Sequence, residues 1–116
     1  MTFNEYQAFT ATTAVYPRPL TDLVYPALKL SEEAGEVAGK LGKVIRGDYP
    51  GTDIHNLYRN SELIKTVALE LGDVLWYVAR LATALGLTLN DVAKMNKKKL
   101  LSRKCHGTLR GSGDNR

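Results

Sequence analysis

The stretch SELIKTVALELGDVLWYVARLATAL, residues 61–85, carries a long helical pattern. Its apolar residues recur every three or four positions, at Ile64, Val67, Leu71, Val74, Val78, Leu81 and Leu85. This spacing is typical of one face of an α-helix. Asn60 or Ser61 is suited to cap the helix at its start, and Gly86 is suited to end it. The pattern therefore predicts one long helix.

Three further segments carry helical signals on either side of this stretch. Capping-box spacing occurs twice, in Thr2 with Glu5 and in Thr88 with Asp91. The predicted helices cover residues 3–14, a span from soon after Pro26 to Gly47, and a span from Thr88 to about residue 104. No run of β-branched residues alternates with period two, so the sequence predicts an all-α four-helix bundle.

The length and composition fit one catalytic or binding domain. A chain of 116 residues is of ordinary single-domain size, and we assign residues 1–106 to the domain and the Gly-rich residues 107–116 to a tail. The N-terminal residues do not resemble a secretory signal, and no stretch approaches the 18 or more apolar residues that cross a bilayer. We therefore expect a cytoplasmic protein with no membrane partner.

Charge is distributed unevenly along the chain. From residue 94 onward there are eight basic residues and one acid, whereas residues 1–93 hold eight basic and eleven acidic residues. A cationic end on a mildly acidic body suits an anionic partner, either nucleic acid or a small phosphorylated ligand.

The long helix is apolar on two sides. If Leu71 marks the centre of one stripe, Leu69 and Trp76 lie nearly opposite at about 100° per residue. One face packs against the other helices of the same chain, and the other face needs a further protein surface to bury it. A central helix of a monomer is the alternative, but three other helices offer little cover. The pattern favours a homo-oligomer.

Acidic residues interrupt two of the apolar helices. In LKLSEEAGEV, residues 28–37, Glu33 and Glu36 border the apolar stripe and Glu32 points nearly outward. In LELGDVLWYV, residues 69–78, Glu70 and Asp73 lie in a polar sector that also holds Thr66 and Tyr77 but no lysine. Antiparallel packing of the two helices brings these carboxylates together beside the core.

Converging carboxylates need a counter-charge, because an unpaired buried charge costs several kcal/mol. A hard divalent cation such as Mg²⁺ suits oxygen ligands on facing helices. A di-iron centre is disfavoured because neither acid pair has a histidine three residues on. The simplest alternative is a solvated acidic surface, which suits residues 32–36 taken alone but not the apolar surroundings of Glu70 and Asp73.

The two acid pairs together resemble the motif of the MazG-like nucleoside triphosphate pyrophosphohydrolases, an all-α superfamily. The likeness extends over EEAGEVAGKLGKVIR, ELGDVLWYVARLATALGL and the ending KLLSRKCHGTLRGSGDNR, which looks like that of small phage and bacterial members. It implies hydrolysis of a nucleoside triphosphate between the α and β phosphates, in nucleotide-pool control or phage nucleotide metabolism.

The resemblance also implies roles for particular residues. It makes Glu33, Glu36, Glu70 and Asp73 ligands for Mg²⁺, with Mn²⁺ as a substitute. Glu32 then supports these ligands or acts as base for the attacking water. Tyr77 corresponds to a tyrosine that contacts phosphate. The expected assembly is a tetramer, a dimer of dimers, rather than a dimer.

The fourth predicted helix supplies positive charge. We expect Asn96, Lys99 and Arg103 to contact phosphates, with Lys104 and Arg110 as weaker candidates. A competing interpretation is a nucleic-acid-binding module that uses this basic helix, and nucleic acid is disfavoured as a partner because no aromatic residues interleave with the lysines and the acid pairs stay unexplained.

Recognition of the base is only weakly indicated by the sequence. Tyr16, Tyr25 and Trp76 are candidates for stacking. At helical spacing a core position is favoured for Trp76, whereas Tyr16 is favoured for the rim of a pocket. Base and sugar stay open, with a purine deoxynucleotide such as dGTP as the working hypothesis.

Overall fold

A computed structural model describes residues 1–16 and 22–113. It contains four α-helices, α1 Phe3–Thr13, α2 Val24–Arg46, α3 Ser61–Ala84 and α4 Leu89–Cys105, with a short 3₁₀ helix at Leu57–Arg59. The described residues contain no strand. The predicted all-α fold is confirmed, and each helix begins and ends within a few residues of its predicted bounds.

Helices α2 and α3 form an antiparallel hairpin. Lys40 contacts Glu70 near the middle, while Glu33 approaches Asp73 nearer the start of α2, so the residue numbers run in opposite directions along the pair. Gly47 ends α2 in the left-handed region at φ +89°, which a residue with a side chain rarely adopts. The Asn60 side chain caps α3 by accepting from the Leu63 amide at 2.9 Å.

Helix α1 and the start of α4 pack against the second half of α3. Ala79, Ala82 and Leu89 are buried together there. Gln7 joins the three helices, because its amide nitrogen donates to the Thr83 hydroxyl at 2.9 Å and its side-chain oxygen accepts from the Leu89 amide at 2.7 Å. The buried core of a single chain therefore lies at the C-terminal half of α3, where α1 and the start of α4 pack.

The apolar stripe predicted as the core of α3 is only partly buried. Ile64, Leu71 and Leu85 are exposed, whereas the residues that a single chain buries completely include Leu63 and Ala79. The reason is that α2 covers one side of α3 and α1 covers another, which leaves the Ile64 and Leu71 side without a covering layer. The helical period is confirmed, and a single chain covers only part of the stripe.

Helix α4 leaves the bundle after its first turn. Leu89 is buried and Val92 half-buried, but every residue of 93–102 is exposed. The radius of gyration is 17.3 Å, whereas a compact domain of about 100 residues has about 13 Å. The single chain is therefore more extended than an ordinary domain of its size.

The described part of the predicted tail turns back on α4. An Arg103 guanidinium nitrogen donates to the Gly113 carbonyl at 3.2 Å. The last three residues of the predicted tail, 114–116, lie outside the described residues. Within the described residues no helix is long and apolar enough to cross a bilayer.

The capping box of α4 gives a test of the fold. Thr88 accepts from the Asp91 amide at 3.0 Å and Asp91 accepts from the Thr88 amide at 3.3 Å. Thr88→Ala is expected to lower the free energy of unfolding by about 1 kcal/mol. The control Thr88→Ser keeps the hydroxyl and most of the stability. Urea unfolding at one protein concentration measures both variants, and equal midpoints for wild type and Thr88→Ala would contradict the cap.

The same capping box predicts a pH dependence. Hydrogen bonds from Thr88 lower the pKa of the Asp91 carboxyl below its ordinary value. This contribution to stability is present above the ordinary aspartate pKa and is lost as pH falls through the lowered value. The stability difference between wild type and Asp91→Asn should therefore shrink on acidification, and a difference constant with pH would contradict this assignment.

Candidate metal centre and substrate pocket

Three carboxylates converge on the inner side of the α2–α3 hairpin. Glu33 comes from α2, and Glu70 and Asp73 come from one side of α3. One oxygen from each lies within 4.8 Å of the others. Because the helices are antiparallel, acids distant in sequence face each other at the same level. We call Glu33, Glu70 and Asp73 the carboxylate cluster.

The other two predicted acids lie outside the carboxylate cluster. Glu32 is exposed and forms an ion pair with Lys29. Glu36 is exposed in a shallow groove that Lys40 and Lys43 also line. The structure therefore brings together three of the four predicted ligands, and the roles of Glu32 and Glu36 stay predictions.

Lysines of α2 partly balance the carboxylate cluster. The Lys40 ammonium lies 3.0 Å from a Glu70 oxygen, and the Lys29 ammonium lies 3.9 Å from a Glu33 oxygen. The sequence argument considered only α3, whose polar sector lacks lysine, and so missed both. The signal was present in the sequence, because Lys29 precedes Glu33 by one helical turn.

The carboxylate cluster can accommodate a divalent cation beside these lysines. Burial, followed by the negative charge of Asp73, raises the pKa of the Glu33 carboxyl. A raised carboxyl pKa means that the surroundings of the carboxyl disfavour its charged form. Carboxylate oxygens at this spacing are suitable ligands for a hard divalent ion such as Mg²⁺. The residues present therefore fit a magnesium ion.

Two members of the carboxylate cluster, Glu33 and Asp73, line a cavity of about 410 Å³. Its lining residues come from α2, α3, the last residue of α1 and the segment that follows it, and they are Thr13, Val15, Tyr16, Tyr25, Glu33, Asp73, Trp76 and Tyr77. The lining therefore combines two carboxylates with four aromatic rings. We call this cavity the substrate pocket.

The aromatic rings of the substrate pocket contact one another. Tyr16 stacks on Tyr25 with centroids 5.2 Å apart, and Trp76 lies edge-on to Tyr16 at 6.2 Å. The Trp76 indole donates to the Thr13 hydroxyl at 2.8 Å. The prediction of a pocket rim for Tyr16 agrees with this geometry, whereas the core position favoured for Trp76 was wrong, because its half-buried ring lines the pocket.

The sequence of residues 26–108 matches the family model of the MazG nucleotide pyrophosphohydrolase domain. The chain belongs to the MazG family. It is similar to Gene 37 protein of Mycobacterium phage L5, with 40% identity over 116 residues that cover 96% of each chain. No solved structure matches it. The family resemblance seen in the acid motif is thus confirmed, and it indicates a nucleotide pyrophosphohydrolase.

Tyr77 connects the two parts of the MazG pocket. It follows Asp73 by one turn of α3 and packs edge-on against Trp76, with centroids 4.8 Å apart. Burial, with a smaller contribution from Tyr25, raises the pKa of the Tyr77 hydroxyl. The hydroxyl therefore stays protonated at neutral pH and is a hydrogen-bond donor, as phosphate contact requires.

The predicted phosphate ligands of α4 lie elsewhere in the single MazG chain. Asn96, Lys99, Lys104 and Arg110 are exposed, and none of them lines the substrate pocket. Arg103 is buried and holds the Gly113 carbonyl instead. The cause is the departure of α4 from the bundle after its first turn. Contact between these residues and phosphate stays a prediction.

Metal binding by the carboxylate cluster can be measured without turnover. MgCl₂ should raise the unfolding temperature of the wild type, because a ligand at 100 times its Kd stabilises the folded state by about 2.7 kcal/mol. Glu70→Gln and Asp73→Asn should lose most of this increase. Glu62→Gln, an exposed acid in the first turn of α3, should keep it. Equal increases in wild type and Asp73→Asn would contradict the site.

Proposed function

We propose that this MazG protein hydrolyses a nucleoside or deoxynucleoside triphosphate between the α and β phosphates, with Mg²⁺ as cofactor. The observation that carries the proposal is that one pocket is lined both by carboxylates and by aromatic rings. A nucleoside triphosphate has a counterpart for each kind of lining group, because its sugar joins a charged phosphate chain to a flat base. The family supports the reaction type.

The carboxylate cluster is assigned the metal. Glu33, Glu70 and Asp73 supply the oxygens that the structure brings together, and Glu36 is the fourth ligand implied by the family motif. When bound, Mg²⁺ offsets phosphate charge, orients the phosphates and favours ionisation of the attacking water. Without a cation the same carboxylates would repel the substrate. Lys29 and Lys40, already beside the cluster, add positive charge for the phosphate chain.

The proposed hydrolysis forms one bond to the α phosphorus and breaks another. The oxygen of water forms a bond to the α phosphorus, and the bond from that phosphorus to the bridging oxygen breaks. Pyrophosphate leaves with the electron pair of that bond, and the water proton passes to a base, for which Glu32 is the predicted residue. The nucleoside monophosphate and pyrophosphate result. Positioning and charge do most of the catalytic work in such phosphoryl chemistry.

The aromatic part of the pocket is assigned the base. Tyr16, Tyr25 and Trp76 present ring faces and edges to the cavity. Stacking of a base on an aromatic side chain contributes about 1–3 kcal/mol and tolerates different bases. A purine deoxynucleotide such as dGTP is the working hypothesis for the preferred substrate.

Assembly into a homo-oligomer completes this proposal. Between α2 and α3 a groove of about 220 Å³ is lined almost entirely by apolar atoms of Leu41, Leu57, Leu63, Ile64, Val67, Ala68 and Leu71. Ile64 and Leu71 are about half exposed in the single chain. A second copy covers this surface, and a dimer of dimers places the projecting basic α4 near a neighbouring chain, where Asn96 and Lys99 contact the phosphates.

Product analysis tests the reaction. The protein is incubated with each of the eight common nucleoside triphosphates and Mg²⁺, and the products are separated by ion exchange. Monophosphate with pyrophosphate is expected, and diphosphate with phosphate would contradict the proposal. Asp73→Asn and Glu36→Gln should lower turnover by roughly a hundredfold or more, because metal ligands matter at least as much as the groups supporting them. Glu62→Gln is the matched control.

The oligomer is tested by light scattering after size exclusion. Leu71→Asp places a charge on the apolar groove and should reduce the assembly, because an unpaired charge is costly to bury. Ile54→Asp makes the same kind of change at an exposed position of the loop between α2 and α3 and should leave the mass unchanged. A monomeric wild type, or a Leu71→Asp variant of unchanged mass, would contradict the proposed interface.

A further inference from the structure

Arg80 is a buried cation that the proposed reaction does not use. Arg80 is 4% exposed. The Nε group donates to the Tyr16 hydroxyl at 3.3 Å, whereas the buried Nη1 atom has no hydrogen-bond partner within residues 1–16 and 22–113. In the same part of the chain Arg80 forms no ion pair.

Such an arginine does not add stability to the fold. Burial of a charge costs several kcal/mol unless the group is paired, and a buried donor without a partner costs about 1–3 kcal/mol. An aliphatic residue of similar length fills the same volume without either cost. The presence of a guanidinium at this position therefore needs a reason other than packing.

The position of Arg80 relates it to the substrate pocket. It follows Asp73 by two turns of α3, so the two residues lie on nearly the same side of the helix, about 10.5 Å apart along its axis. Trp76 and Tyr77, which line the pocket, precede Arg80 by one turn. Arg80 itself does not line the cavity. It can act on a ligand only through a neighbour, and its one hydrogen-bonded neighbour among the described residues is Tyr16.

Tyr16 needs an anchor of this kind. Helix α1 ends at Thr13, so no helical hydrogen bond fixes the backbone of Tyr16. Its ring nevertheless lines the pocket, stacked on Tyr25 and edge-on to Trp76. The bond to Arg80 joins the far end of this ring to α3, the helix that also carries Glu70 and Asp73. The ring and the carboxylate cluster are thereby held at a fixed separation.

We infer that Arg80 is a positioning residue for substrate binding. Through the Tyr16 hydroxyl it fixes the aromatic wall of the pocket, which consists of Tyr16, Tyr25 and Trp76 and against which the base of the substrate packs. This inference rests on the proposed function. Loss of the guanidinium loosens the wall without touching the carboxylate cluster. The consequence is weaker binding with little change in the chemical step, because an interaction shared by the ground and transition states affects KM rather than kcat.

The test uses Arg80→Met, Tyr16→Phe and the double variant in the full-length protein. Arg80→Met keeps the aliphatic length, and Tyr16→Phe keeps the ring, so each removes the same hydrogen bond from one side. Trp76 is the only tryptophan of the chain and lies in the pocket, so its fluorescence reports nucleotide binding directly. Deoxyguanosine monophosphate in the presence of EDTA is the binding probe, and dGTP with Mg²⁺ gives kcat and KM.

We expect each single variant to weaken binding of the monophosphate and to raise KM by about tenfold, with kcat within about twofold of the wild type. The double variant should be no worse than either single variant, because the two side chains act through one bond. Arg59→Met, an exposed arginine of the 3₁₀ helix, is the matched control and should leave both quantities unchanged.

Other outcomes would overturn the inference. A purely structural Arg80 predicts a lower unfolding temperature for Arg80→Met with unchanged affinity and KM. Independent roles predict losses that multiply in the double variant. If Arg80→Met does not fold, Tyr16→Phe with unchanged affinity overturns the inference alone. A wild type that binds no monophosphate and hydrolyses no triphosphate rejects the proposed function as well, whereas normal wild-type activity with an unaffected Arg80→Met variant rejects only the role of Arg80.

Discussion

Mutual repulsion of three carboxylates, held together by the packing of two apolar helices, is the constraint on which the rest of the structure depends. Glu33, Glu70 and Asp73 approach one another because they lie at the same level of the antiparallel α2–α3 hairpin. Two lysines of α2 offset part of this negative charge, and burial, followed by the charge of Asp73, raises the pKa of the Glu33 carboxyl. The fold thus maintains a site that a divalent cation would stabilise.

The substrate pocket joins parts of the chain that are held in different ways. The carboxylates lie on long helices whose backbone hydrogen bonds fix them. The aromatic wall depends on Tyr16, beyond the end of α1, and therefore on side-chain bonds to α3. The link between Gln7 and the α3–α4 turn places α1 itself. The long helices carry the carboxylates and most of the aromatic rings, and side-chain contacts hold Tyr16 against them.

Two surfaces of the single chain bear on its assembly. One is the apolar groove that includes Ile64 and Leu71, and the other is the basic second half of α4, which stands away from the bundle. Both follow from the same geometry, because α1 and the start of α4 pack mainly on the C-terminal half of α3. A homo-oligomer would cover the groove and bring cations towards phosphate. Assembly and substrate binding are therefore connected in this proposal.

The sequence by itself determined the helices and the identity of the acid pairs. Local signals act over three or four residues, so the capping boxes at Thr2 and Thr88, the cap at Asn60 and the glycine at 47 placed the helix ends closely. The acid motif also carried the family and its reaction class. These properties depend on spacing along one helix, which a sequence displays directly.

Only the tertiary structure decided which residues meet. It separated Glu36 from the carboxylate cluster, introduced Lys29 and Lys40 beside it, and placed Trp76 in the pocket rather than in the core. It also showed Arg80 bound to Tyr16 across 64 residues of sequence. Such pairings depend on the rotation and tilt of one helix against another. Those quantities are set by packing over the whole interface and leave no local signal in the chain.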